Sequence, residues 1–202
     1  MRRAGAVLAG LLLAAPLASQ GPRLDVTLRL SGAGPPEAVV RVADLLADDR
    51  LVSAMRAGFP LYVALTVELR ESRTLWDRTA DRWVEEYVIQ FDPVRDVYVL
   101  EDPDGTEEIP DRDVLARRLR RVYVVGLRPD GRGRYHYHAA LSARMLSDRD
   151  VDDVYAWLRG DAPDSTRHRP GLITRAARRL LVQMAPLPRL DLEARTPDFS
   201  GT

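Results

Sequence analysis

"AMRAGFPLYVALTVELRESRTLWDR", residues 54–78, changes its hydrophobic period part-way along, and that change decides the fold. Up to Ala57 the spacing is helical: a segment from Asp48 to Ala57 puts Leu51, Val52 and Met55 on one face. Gly58 can adopt the left-handed conformation that closes a helix, and Pro60 cannot continue one. From Leu61 the period drops to two. Leu61, Val63, Leu65, Val67 and Leu69 point one way, with Tyr62, Thr66, Glu68 and Arg70 opposite, which predicts a strand with one face in the core. Trp76-Asp77-Arg78 then stands alone, with two readings. As a tight connection, Trp76 covers the edge of the core and Asp77 pairs with a neighbouring backbone group or arginine. As a site, Trp76 is an exposed aromatic platform. The first is preferred, because only sizeable exposed apolar patches signal binding.

Upstream, Leu24, Val26, Leu28 and Leu30 alternate with Arg23, Asp25, Thr27 and Arg29, predicting a strand; residues 32–36 turn the chain and Ala38–Ala43 is a second strand. Downstream, Trp83–Phe91 and Asp96–Glu101 read as a hairpin across Asp92-Pro93-Val94-Arg95. A turn at residues 102–105 leads to a helix opening at Pro110-Asp111, whose acidic start and Arg117, Arg118 and Arg120 end suit the helix dipole. Arg121–Leu127 and Arg134–Arg144 are two more strands. Ser147 caps a helix carrying Val151, Val154, Tyr155 and Leu158, which Gly160 ends; residues 171–185 form another. The expected fold class is α+β: a largely antiparallel, sandwich-like sheet domain of six to eight strands with three or four short helices. Its divisions are an export signal over 1–20, a β-rich domain over 21–160, a basic amphipathic helix over 161–185 and an irregular tail over 186–202.

The 202 residues suffice for one domain with a real core. Thirty basic residues balance thirty acidic ones, so net charge implies neither nucleic acid nor an acidic substrate. Lysine, asparagine and cysteine are absent, which removes thiol nucleophiles, Schiff-base lysines, thiolate metal sites and disulfides. Met1-Arg2-Arg3, an uncharged apolar run from Ala4 to Leu17 and small residues before Gln20 read as an export signal. The run is shorter than the roughly 20 apolar residues a spanning helix needs. A periplasmic protein is the expectation, with an uncleaved inner-membrane anchor as the alternative.

"SAMRAGFPLYVALTVEL" (53–69), "TLWDR" (74–78) and "EEYVIQFDPVRDVYVL" (85–100) together resemble a family of bacterial envelope proteins grouped as domain of unknown function 4390. The similarity runs from Leu24 to Leu141 and is strongest from Ser53 to Leu100. The resemblance implies export, a β-rich domain and an accessory role beside a membrane sensor, and no known activity. After Leu141 the chain departs from the family pattern: two charged helices stand where members carry a proline-bearing segment and a tryptophan-rich end.

His136 and His138, two apart on a strand, share a face as metal ligands would. Tyr135, Tyr137, Ala139 and Leu141 take the other face, which leaves the histidines on what reads as the solvated side beside Arg134, Ser142 and Arg144. Zinc would need a third or fourth ligand, for which His168 is a candidate, and no cofactor is expected. Seven carboxylates between Glu101 and Asp113 fail the spacing of a calcium loop. Between Arg167 and Met184 five arginines occur without an acid, and Arg175, Arg178 and Arg179 line a helix whose apolar stripe is Leu172, Ile173, Ala176, Leu180, Leu181 and Met184. That stripe either packs on the sheet or docks on an anionic membrane surface or acidic partner. The expectation is an exported, non-catalytic binding or scaffolding protein that contacts an envelope or inner-membrane protein, with Trp76, Arg175, Arg178 and Arg179 as binding residues. Two alternatives stay open: a metal-dependent or hydrolytic enzyme using His136 and His138, and a β-domain holding a lipid or small ligand.

Overall fold

A computed structural model describes residues 21–30, 34–146 and 187–201. Along them run β1 (Arg23–Arg29), β2 (Glu37–Ala43), a 3-10 turn (Leu45–Ala47), α1 (Asp49–Arg56), β3 (Leu61–Glu71), β4 (Arg78–Asp92), β5 (Val97–Asp102), β6 (Gly105–Ile109), α2 (Arg112–Leu119), β7 (Val122–Val125), β8 (Arg134–Arg144), β9 (Arg189–Arg195) and β10 (Phe199–Ser200). Two sheets form, with every described pairing antiparallel. The small one is ordered β1-β2-β7. The large one runs β8-β3-β4-β5-β6, and β9 and β10 follow one another along the edge of β8 that β3 leaves open.

The change of period at Gly-Phe-Pro is realised as expected. Gly58 sits at φ 96, where a side chain would be strained, and its amide and that of Phe59 bond the last carbonyls of α1. At the start of α1 the Asp48 carboxylate accepts from the amide of Arg50 at 3.0 Å. β3 is central, flanked by β4 and β8, and Leu61, Val63, Leu65, Val67 and Leu69 are all buried. Each fully buried leucine contributes about 2 kcal/mol. Facing them in the core are Tyr87 and Ile89 of β4, Tyr98 and Leu100 of β5, Tyr137 and Leu141 of β8, and Ala38, Val40 and Val42 of β2. Leu51, Val52 and Met55 of α1 and Leu115 and Leu119 of α2 complete that core.

Several elements differ from the sequence reading. The described residues hold ten strands rather than six to eight, with two α-helices and a 3-10 turn. The two further helices expected between 147 and 185, and the export signal over 1–20, lie outside the described residues. The tail expected to be irregular contains β9 and β10, because the prolines at 188 and 197 leave room between them for "RLDLEAR", in which Leu190, Leu192 and Ala194 pack against the core. β6 was not expected: four of its five residues are exposed, so no alternation marks it, and only Ile109 is buried. Leu30 lies beyond the end of β1 and is exposed. Among the described residues no helix is long and apolar enough to cross a membrane.

Candidate functional site

The β3–β4 connection, residues 72–77, projects from one end of the large sheet, and its base is tied down at several points. The amide of Ser72 donates to the Arg134 carbonyl at 2.8 Å, stitching the connection to the first residue of β8. Ser72 Oγ lies 3.1 Å from His136 Nδ1 and donates to Asp198 Oδ2 at 3.3 Å. Asp77 Oδ2 lies 3.4 Å from His136 Nε2, so both ends of the connection close on one imidazole. Asp198 is in turn held by Arg195 at 2.8 Å and Arg134 at 2.7 Å. A second tie runs through Arg78, which donates to Glu71 at 3.0 Å and to Asp130 at 2.5 Å, while the Tyr135 hydroxyl donates to Asp130 at 3.0 Å. The loop 128–133 is thereby held beside the connection. Between these ties, Leu75 and Trp76 stand 81% and 72% exposed.

Trp76 therefore does not cover the core edge; it reaches outward with its neighbour. The connection is tied at Ser72 on one side of this pair and at Asp77 and Arg78 on the other. His136 also differs from expectation. It lies on the face opposite Tyr135 and Tyr137, as alternation requires, yet that face is not solvated there: Ser72, Asp77 and Asp198 cover the ring, which is 1% exposed. Burial, and then the nearby Arg195 charge, lower its pKa against the weaker pull of Asp77 and Asp198. His138 leans the other way, towards Glu193 at 3.5 Å on β9.

What can this cluster do? Serine, histidine and aspartate within contact suggest a nucleophilic triad. Two features turn it towards a clamp instead. Ser72 Oγ is shared between imidazole and carboxylate beside a ring closed to solvent, and the Ser72 amide, the natural oxyanion donor, is spent on Arg134. Sequence reasoning missed the cluster because its members sit on β8, on the β3–β4 connection and after β9. The one available signal was the tail's proline-bounded alternation, which would have placed Asp198 beside β8.

His136 and His138 share a face but answer to different carboxylates, and no group of three or more candidate ligands gathers among the described residues. His168 and the arginines at 175, 178 and 179 lie outside the described residues. Within the acidic run three carboxylates pair with arginines: Asp102 with Arg121 at 2.7 Å, Glu107 with Arg118 at 2.8 Å, and Glu108 with Arg95. On the face of the large sheet away from the core lies an open trough of about 520 Å³, whose lining includes Ala64, Thr66, Glu86, Glu101 and Ser142. Its carboxylates make it a poor match for a wholly apolar ligand. Comparison of the chain with protein-family models, with curated proteins and with solved structures finds no match.

Proposed function

We propose that this protein is an exported, non-catalytic binding domain of the bacterial cell envelope, and that it meets its partner through the β3–β4 tip. The single observation behind this reading is the pair Leu75–Trp76, mostly exposed on a backbone whose two ends are clamped by Ser72, Asp77 and Arg78. Exposed apolar groups on a mobile loop can collapse; on a clamped one they remain available to a partner at little ordering cost. Tryptophan is among the residues most enriched where binding energy concentrates. The export signal and the family resemblance supply the envelope and the accessory role beside a membrane sensor.

The test is a photoreactive amino acid at position 76 in intact cells, with the same group at position 94 as comparison. Val94 is 91% exposed on the β4–β5 turn, at the opposite end of β4, so it matches in exposure but not in place. Crosslinks specific to position 76 support the reading. Equal labelling from both positions, or none from either, overturns it.

A further inference from the structure

The tip carries charge as well as apolar surface, and arginines outnumber acids there. On the connection, Glu71 is matched by Arg73 at 2.7 Å, and Arg78 answers both Glu71 and Asp130. The adjoining loop carries Arg128 and Arg132, both exposed, and neither side chain has an ion pair among the described residues. Asp130, the acid between them in sequence, is already taken by Arg78 and Tyr135. Against these two guanidinium groups stands one carboxylate, Asp77, which faces the His136 imidazole rather than an arginine, so the connection and the loop tied to it carry one more cation than acids.

Resting on the reading that this tip is the contact point, we propose that its partner is an anionic lipid bilayer: Trp76 and Leu75 enter the interface while Arg128 and Arg132 meet lipid phosphates. An indole suits this depth because its ring is apolar and its N–H wants a polar neighbour, which is why tryptophan concentrates at membrane interfaces. Guanidinium groups pair with phosphate oxygens in bidentate fashion and tolerate partial desolvation. Two apolar side chains and two charges make weak, reversible attachment, the regime in which apolar insertion and electrostatic attraction are both needed. Binding should therefore fall with added salt, as charges beyond a Debye length are screened.

The experiment uses the full-length mature protein and vesicles of phosphatidylcholine with one-third phosphatidylglycerol, read by co-sedimentation and by quenching of tryptophan emission with brominated lipid. Expected results are quenching in the wild type, at least a tenfold loss of binding in Trp76→Ser, and a several-fold loss in Arg128→Gln with Arg132→Gln that also flattens the salt dependence. Val94→Ser should bind as wild type, and all variants should keep the wild-type melting temperature because the altered side chains are exposed. Arg175→Gln with Arg178→Gln and Arg179→Gln distinguishes this site from the basic segment: loss of binding there, with Trp76→Ser unaffected, overturns the proposal. So does absence of vesicle binding at low salt. If vesicles are not bound while position 76 captures a protein in cells, the tip remains the contact and the lipid assignment falls; if neither happens, both fall.

Discussion

Leu65 and Thr66 are adjacent in the chain and opposite in environment, the first without exposure in the core and the second on the trough face of β3. Leu65→Asp buries an unpaired carboxylate and should cost about 4 kcal/mol or more, most of the stability of a domain at the low end of the usual range. Thr66→Asp should cost much less. Circular dichroism and urea titration compare them; equal tolerance would reverse the faces of β3. At His136 the sign of the pH effect follows from its lowered pKa. The unfolded chain takes up the proton first, so the stability contributed by neutral His136 is present above about pH 6.5 and is lost as pH falls through the folded-state value. His136→Gln should flatten stability in that window, and unchanged pH dependence would contradict the burial. Alternation made the side of the sheet on which His136 lies legible. It could not reveal what lies over that side, because Asp77 and Asp198 arrive from distant parts of the chain.

Elements were legible where one face is apolar and the other polar. β3 and β8 have that contrast along their full lengths, and their sequence-derived bounds stand within two residues of those observed. β6 lacks it, being held by backbone pairing to β5 and by Arg95 and Arg118 from neighbouring segments. β9 and β10 had the contrast, but in a stretch where prolines argued for irregularity. Their closure depends on Gly201, whose amide donates to the Gly133 carbonyl at 2.8 Å. A Cβ there would lie 2.5 Å from Tyr135 Cε2 and 2.7 Å from the Gly131 carbonyl oxygen. Gly201→Ala should therefore displace the 128–133 loop and cost about 1–3 kcal/mol, the range for forced overpacking. Chemical denaturation measures it, and hydrogen exchange should show earlier opening of β10 than of β3. A neutral outcome would mean that β10 contributes little to the fold.

Across the whole molecule the cations are all arginines, and several carboxylates are held below their usual range by them: Asp44 by Arg23, Asp102 by Arg121, Asp130 by Arg78 and Asp198 by Arg195. Each lowered pKa adds stability that is complete above the unfolded value near pH 4 and vanishes as pH drops through the folded one. Unfolding should thus set in steeply below about pH 4, after a shallower loss from His136 nearer pH 6. Thermal melts across pH decide this, and a flat profile down to pH 3 would show that these pairs do not survive in solution. The proposed export predicts cleavage between about residues 15 and 22, and an intact mass beginning at Met1 in the membrane fraction would favour an anchored form instead.

β8 has β3 on one side and receives β9 on the other, from a segment made dozens of residues later. Until residues 189–195 leave the ribosome, β8 presents a bare row of amides and carbonyls, the kind of edge that recruits strands from other chains. A chain stopped at residue 186 should therefore self-associate. A synthetic peptide of residues 189–195 supplied in trans should suppress that association by donor-strand complementation, turning β9 into a removable part.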